Sequence, residues 1–211
     1  MYKSSSYNNY YKTSDDFKID LYEDVKEDGI TYRSYNGYLI QGGLDNRCGV
    51  KSPNLEDFDI DLEKTFNKEM FNKVWFETSC DSITFDSIPY IGRYVKNSDN
   101  VYVVTGFNKY GMLNGMVPGM EICSLIKDDK SLYHNIFSPQ RKIINGKYLG
   151  NHLVSTMKGF VKSNVNLNRR CTHLHGKLFY NSVTKTYECP CHGSRFSKEG
   201  KVIDGPAKEN L

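Results

Sequence analysis

The chain is 211 residues long, with 28 lysines and arginines against 25 aspartates and glutamates, which gives a formal net charge of +3. Charges of both signs are spread along it, so the sequence lacks a basic patch that would bind nucleic acids or anionic membranes. No segment approaches the roughly 20 apolar residues of a transmembrane helix, and no secretory signal opens the chain. We therefore expect a cytoplasmic protein with no nucleic-acid or membrane partner.

The amino-terminal third predicts a disordered end, a strand and a helix. Residues 1–24 are rich in tyrosine, serine and asparagine, a composition typical of chain ends that do not fold. The sequence YNGYLIQGG at 35–43 predicts a strand with a glycine turn. Residues 62–75, LEKTFNKEMFNKVW, place apolar side chains four apart, which predicts an amphipathic helix.

The middle of the chain has a strand, glycine loop and helix pattern at residues 100–126, NVYVVTGFNKYGMLNGMVPGMEICSLI. The predicted helix carries Met112, Met116, Met120 and Cys123 on one side. At such a helix start, free backbone N–H groups and the helix dipole face whatever lies beyond the strand, which suits an anion. Many α/β units share this arrangement without a ligand, so the pattern alone does not identify a site.

Two segments, DSIPYIGRY at 86–94 and VYVVTGFNKYGMLNG at 101–115, resemble the carboxy-terminal part of FAD-dependent oxidoreductases of the D-amino acid oxidase and glycine oxidase type. The resemblance covers residues 25–135. It implies a mixed sheet with helices, and it implies flavin-ring contacts for five residues, Gly106, Phe107, Gly111, Met112 and Leu113. No G-x-G-x-x-G sequence opens a strand-to-helix turn, so the FAD pyrophosphate would have to be held by a missing segment or a partner chain.

Three of the six cysteines and three of the five histidines lie within residues 171–193, CTHLHGKLFYNSVTKTYECPCHG. They include two spaced pairs, Cys171-x-His173 and Cys189-x-x-His192, with fifteen residues between the pairs. The segment between them predicts a β-hairpin that brings the pairs side by side. In a reducing compartment, such clustered thiols and imidazoles indicate metal ligands, and a single tetrahedral zinc ion would accept all four.

The sequences CTHL, CPCHGSRF and GKVIDGPA resemble the two cluster loops and the proline loop of Rieske domains. The resemblance implies a [2Fe-2S] cluster, with the two paired cysteines on one iron and the two paired histidines on the other. Ser194 stands where the family often has a hydroxyl donor to sulfur, and Phe196 replaces the tyrosine of high-potential members. Zinc remains the alternative.

The chain also departs from the Rieske pattern. Gly176 replaces a cysteine that many Rieske domains use for a disulfide, so Cys191 is expected to have no partner. Only a short segment precedes the first ligand loop, so the supporting sheet is expected to be cut short. The remaining cysteines, Cys48, Cys80 and Cys123, lie far apart in sequence and are expected to be small buried hydrophobic residues.

These observations predict an α+β fold, the carboxy-terminal portion of a flavin oxidoreductase followed by a truncated Rieske-like β domain. The expected layout is a disordered 1–24, an oxidoreductase part at 25–135, a linker with a helix at 136–168, and the Rieske-like domain at 169–211. The expected function is a flavin-dependent amine or amino acid dehydrogenase that passes electrons through the cluster to a soluble carrier. The alternatives are an iron–sulfur electron-transfer module without its own flavin or catalysis, a zinc-stabilised tail, and a shortened gene product.

Overall fold

The computed structural model describes residues 1–25, 29–67, 71–98, 100–127, 131, 133–142, 150, 153–154, 157 and 169–211. Their helices and strands follow in chain order: β1 (Tyr2–Lys12), β2 (Tyr22–Glu23), β3 (Thr31–Tyr35), β4 (Tyr38–Arg47), α1 (Glu56–Thr65), β5 (Asn72–Ile83), β6 (Tyr90–Arg93), β7 (Tyr102–Thr105), α2 (Gly111–Asn114), α3 (Met116–Ile126), α4 (His134–Phe137), β8 (Phe179–Asn181), β9 (Thr186–Glu188), β10 (Arg195–Phe196) and β11 (Val202–Asp204). The chain divides into two compact units, which we name the sheet unit (Ser4–Cys80 and Ser163–Leu211) and the helical unit (Met1–Lys3 and Asp81–Lys162).

The first sheet has five strands in the order β2-β3-β4-β1-β5. Its predicted strand with a glycine turn is confirmed as the antiparallel hairpin of β3 and β4. Asn36 and Gly37 form the turn with φ values of 47° and 72°. This two-residue turn with positive φ matches the right-handed twist of the strands that it joins.

The amino-terminal residues form a strand, so the expectation of a disordered segment is wrong for residues 2–12. β1 lies between β4 and β5, and its side chains at Tyr7 and Asn9 are fully buried. Some of its polar side chains find partners inside the sheet: Ser4 donates to the Asn46 carbonyl at 3.2 Å, and Asn9 donates to a tyrosine hydroxyl at 3.0 Å, while the buried Asn9 Oδ1 atom has no partner among the described residues. Tyrosine is favoured in strands, and these hydrogen bonds offset part of the cost of burying the polar groups.

The predicted helix at 62–75 is correct only for its first residues. α1 ends at Thr65, and Val74 and Trp75 lie in β5 with 51% and 63% of their surface exposed. Leu62 is fully buried, and the Phe66 and Phe71 rings beside it meet edge to face with their centroids 5.7 Å apart. Leu62 of α1 and the two rings that follow this helix therefore pack in one core, whereas the strand residues of the same pattern are exposed.

The helical unit contains the antiparallel pair β6 and β7, followed by a loop and the helices α2 and α3. The predicted strand, glycine loop and helix are confirmed here. Gly106 directly follows β7 and has φ of 77°, and a Cβ at this position would lie 2.3 Å from Thr84 Cγ2. Asn108 holds the loop, because its Oδ1 accepts from the Thr84 backbone N–H at 2.8 Å.

A second sheet of four strands, in the order β11-β10-β9-β8, forms the carboxy-terminal part of the sheet unit. Its core contains Leu178, Tyr187 and Phe196. The helix expected in the linker lies largely outside the described residues. Among the residues that are described, no helix is both long and apolar enough to span a bilayer.

Candidate metal centre

Two loops at one end of the second sheet carry the predicted ligands. The hairpin of β8 and β9 pairs Phe179 with Glu188, and this register brings the loop before β8 beside the loop after β9. Each loop is closed by two backbone hydrogen bonds. The first loop is closed by Cys171 N to the carbonyl of residue 176 and by His175 N to the Cys171 carbonyl, both at 2.9 Å. The second is closed by Cys189 N to the Ser194 carbonyl and by the N–H of residue 193 to the Cys189 carbonyl, both at 2.8 Å.

Cys171 and Cys189 form the buried side of the site, with 1% and 2% of their surface exposed. The pKa of the Cys171 thiol is raised, first by its hydrogen bond with the Cys189 thiol and then by burial. The Cys171 hydrogen bond lowers the pKa of Cys189, but a contact with Cys191 and burial raise it overall. Buried thiols of this kind hold their protons until a cation replaces them.

The two imidazoles form the outer side of the site. The ring centroids of His173 and His192 are 5.1 Å apart, and His173 is exposed. The His192 Nδ1 atom is buried, and it has no hydrogen-bond partner among the described residues. Burial, followed by the nearby positive charges, lowers the pKa of His192. A neutral imidazole with a free nitrogen lone pair is the form that binds a metal.

The donors are therefore arranged as a pair of thiols and a pair of imidazoles. Within the described ranges, no three cysteine, histidine or acidic side chains gather around one point. A [2Fe-2S] cluster of the Rieske type takes two cysteines on one iron and two histidines on the other. The arrangement of the side chains and the unpartnered His192 nitrogen fit this group.

Ser194 lies beside the thiol pair. It is fully buried, and its hydroxyl oxygen accepts from the Ala207 backbone N–H at 3.0 Å. Phe196 is fully buried in the core cluster that contains both cysteines. Ser194 therefore places a buried hydroxyl on the second ligand loop, whereas Phe196 has none, and the role of Ser194 as a donor to sulfur stays a prediction.

The first sheet supports the second ligand loop, a feature that sequence reasoning missed. Arg47, at the end of β4, donates from Nε and Nη2 to the Pro190 carbonyl at 3.0 and 2.8 Å, and from Nη2 to the Cys191 carbonyl at 3.2 Å. These residues lie within the sheet unit. The support expected to be missing before the first ligand loop is supplied by a strand about 140 residues earlier in the chain.

The turn after β4 also packs against this loop. The Gly49 N–H donates to Glu188 Oε2 at 2.9 Å. Gly49 has φ of 75°, and a Cβ there would lie 2.5 Å from Pro190 N and 2.8 Å from the Cys189 carbonyl carbon. Glu188 is fully buried, and its Oε1 accepts from Asn181 at 3.0 Å. The loop therefore has no free space on the side that faces the sheet.

The residues expected to contact flavin lie together on one loop of the helical unit. They are Gly106, Phe107, Gly111, Met112 and Leu113. Met112 and Leu113 at the start of α2 have 98% and 78% of their surface exposed. The structure thus places the five residues on one loop and the helix start that follows it, with Met112 and Leu113 exposed and Phe107 partly buried. Their contact with flavin remains a prediction.

The other cysteines differ from the sequence expectation. Cys123 is exposed, so the expectation of a buried position is wrong, because α3 turns this side away from the core. Cys48 is buried and Cys80 is half-buried, but their sulfurs lie 3.6 Å apart, although 32 residues separate them in sequence. Cys191 is buried with a free thiol, and His175 is exposed. No sequence pattern indicated that Cys48 and Cys80 meet.

Comparison with known proteins shows what the carboxy-terminal part and the whole chain are similar to. Residues 139–211 match the family of Rieske [2Fe-2S] domains. The whole chain aligns at 27% identity with half of a Rieske 2Fe-2S iron-sulfur protein, YhfW, of Bacillus subtilis strain 168. A stretch of 49 residues is 45% identical to the cytochrome b6-f complex iron-sulfur subunit of Synechococcus sp. strain JA-3-3Ab, covering 23% of this chain and 28% of that subunit.

Among solved structures, the glycine oxidase from Geobacillus kaustophilus has a similar fold, with a TM-score of 0.56 and 15% sequence identity. The similarity covers 67% of this chain and 40% of that chain. The α+β fold, the carboxy-terminal Rieske [2Fe-2S] domain and the likeness to a flavin oxidoreductase fold are thereby confirmed. The chain spans about half the length of the curated relative that it matches along its whole length.

Proposed function

We propose that this chain is part of an oxidoreductase in which Cys171, His173, Cys189 and His192 hold a [2Fe-2S] cluster that carries electrons away from a flavin-dependent catalytic site. The observation that carries the proposal is the pairing of two buried thiols and two outward imidazoles across one hairpin. The match of residues 139–211 to Rieske domains and the glycine oxidase-like fold support it.

The protein side chains would divide the work at this site. The cluster, when bound, accepts and gives single electrons. Cys171 and Cys189 would hold the inner iron away from water, whereas His173 and His192 would hold the outer iron near the surface. Since His173 is exposed, the imidazole side is the natural exit for electrons to a soluble carrier, which we propose as the partner.

The catalytic half of the proposal is hydride removal from a C–H bond next to an amine, by a flavin that lies against the loop from Gly106 to Leu113. The uncovered side chains of Met112 and Leu113 support a flavin surface completed by residues outside this chain. The same exposure favours a second candidate, an iron–sulfur electron-transfer module with no flavin of its own. The two candidates differ in whether FAD binds when the missing half of the site is supplied.

Purification without air, followed by absorption spectroscopy and iron and sulfide analysis, tests the proposed centre. We expect two irons and two sulfides per fully loaded chain, together with a Rieske-type electron paramagnetic resonance (EPR) signal after reduction with dithionite. The reduced protein should then lose this signal when oxidised cytochrome c is added as a soluble one-electron acceptor. One zinc and no iron in protein made with ample iron would contradict the proposal.

A further inference from the structure

Cys48 and Cys80 form a dithiol in the sheet unit, and neither belongs to the four ligands. Their sulfurs are 3.6 Å apart, and both are free thiols. The Ser5 hydroxyl on β1 lies 3.0 Å from Cys48 Sγ and 3.4 Å from Cys80 Sγ. A disulfide requires a sulfur separation of about 2.05 Å. Cys48 is the first residue beyond β4, so no strand pairing holds its backbone against this movement.

Cys80 lies next to a buried cation. Arg195 Nη1 donates to Cys80 Sγ at 3.2 Å, and the Arg195 side chain is only 11% exposed. Asp204 and Glu188 share this guanidinium, with oxygens at 3.2 Å from Nη1 and 4.0 Å from Nε. The pKa of Cys80 is lowered, first by the hydrogen bond from Cys48 and then, against burial, by a hydroxyl hydrogen bond and the Arg195 charge. The pKa of Cys48 is raised.

The two cysteines therefore have different chemical roles. Cys80 is half-buried and faces a positive charge, which is the setting of a reactive thiolate. Cys48 is 1% exposed and keeps its proton, which is the setting of a thiol that reacts second. Half-burial admits a small oxidant to Cys80 and hinders a bulky disulfide. The guanidinium is also placed to stabilise an oxyanion that leaves from the oxidant.

We propose that Cys80 and Cys48 form a peroxide-reactive dithiol, with Cys80 as the nucleophile for a small hydroperoxide and Cys48 as the resolving thiol. The Cys80 sulfur attacks the terminal peroxide oxygen, the O–O bond breaks, and the remaining oxygen leaves and takes up a proton. Cys80 is then a sulfenic acid. The Cys48 thiol attacks this sulfur, an S–S bond forms, the S–O bond breaks, and water leaves with the Cys48 proton. The dithiol loses two electrons, and the peroxide gains them.

Peptide mapping of the full chain with its cluster loaded tests this proposal. The protein is treated without air with one equivalent of hydrogen peroxide, denatured in excess alkylating agent and digested. We expect a peptide pair that joins Cys48 to Cys80 and separates on reduction. Cys123 is the matched control, since it is more exposed but, within the described residues, receives no hydrogen bond from an arginine as Cys80 does, and it should remain fully alkylated.

Variants assign the roles of the two cysteines. Cys48→Ser should stop the reaction at a Cys80 sulfenic acid, which a cyclic dione traps. Arg195→Gln should slow the oxidation of Cys80 about twofold or more, because the thiolate and the oxyanion that leaves from the oxidant both lose the guanidinium. The EPR signal of the cluster reports whether each variant is folded.

Three outcomes would overturn the proposal. They are oxidation of Cys123 at least as fast as Cys80, absence of a Cys48–Cys80 link in the wild-type protein, and unchanged oxidation of Cys48 in the Cys80→Ser variant. The first two are decided on the wild-type protein alone. A variant that fails to fold therefore leaves the test intact.

Discussion

The ligand loops at 171–193 and the glycine loop at 106–113 differ in how much of a site one stretch of chain supplies. The ligand loops bring two thiols and two imidazoles together on one hairpin, and both cysteines are buried. The glycine loop holds Gly106 and Asn108 in place by local contacts, yet leaves Met112 98% exposed. A site made by one hairpin has all its ligands once that hairpin folds. A site shared between distant segments leaves apolar side chains exposed when only one of the segments is present.

The largest expected effect is the loss of the cluster on removing one cysteine ligand. Cys171→Ser or Cys189→Ser should abolish bound iron and the EPR signal, because a hydroxyl is a poor replacement for a thiolate on iron. Iron and sulfide analysis of anaerobically purified protein measures the result. A variant that kept full iron content would show that the ligands had been wrongly assigned.

Cys191→Ser is the matched control for these two substitutions. Cys191 lies between the ligands Cys189 and His192 and is equally buried, but its thiol has no disulfide partner. We expect this variant to keep its cluster. Equal loss of iron from all three variants would indicate that the loop, and not the ligand set, had been disrupted.

The second prediction concerns the glycine loop at 106–113. The isolated chain should retain little or no FAD, because no G-x-G-x-x-G turn holds the pyrophosphate and Met112 and Leu113 are uncovered. Fluorescence of flavin released by denaturation measures the content per chain. Stoichiometric FAD in the purified chain would remove the contrast between the two regions, since both would then be complete sites.

The third prediction tests the support of the ligand loop by the first sheet. Gly49→Ala should destabilise the sheet unit by about 3 kcal/mol or more, because its positive φ disfavours a side chain and the added Cβ would meet Pro190 N. Thermal unfolding followed by circular dichroism measures the loss, and the cluster should also be released faster on heating.

Gly119→Ala is the control for that substitution. Gly119 lies within α3, and an added Cβ would meet nothing within 4 Å. Alanine is favoured over glycine in a helix by up to about 1 kcal/mol, so this variant should be neutral or more stable. If the two variants unfolded alike, the close approach of Gly49 to the ligand loop would not contribute to stability.

Features that depend on local contacts could be predicted from the sequence, and features that depend on distant contacts could not. The β3–β4 hairpin, the strand and helix around Gly106 and the hairpin of the ligand loops were predictable, because each depends on turn residues and spacing within about 25 residues. β1 was not, because its polar residues are buried only by its neighbours β4 and β5, which lie far away in the chain. The contacts of Arg47 with Pro190 and of Cys48 with Cys80 were likewise hidden, since they join residues far apart in the chain.

The smallest expected effect is a shift in the reduction potential of the cluster. Rieske potentials span about −150 to +300 mV and depend on hydrogen bonds to sulfur. Ser194 has a buried hydroxyl on the second ligand loop, which we expect to donate to sulfur, but Phe196 offers no hydroxyl. We therefore expect a wild-type potential in the lower half of that range, which suits electron transfer to a soluble carrier.

Ser194→Ala and Phe196→Tyr should shift the potential in opposite directions. A hydrogen-bond donor to sulfur stabilises the more negative, reduced cluster, so losing one lowers the potential and gaining one raises it. A hydrogen bond is worth about 1 kcal/mol, which corresponds to roughly 40 mV for a one-electron couple. Redox titration followed by EPR measures both shifts. Shifts of the same sign would show that general loosening of the loops, and not hydrogen bonding to sulfur, sets the potential. A wild-type potential near the top of the range would mean that another donor takes the place of the missing hydroxyl.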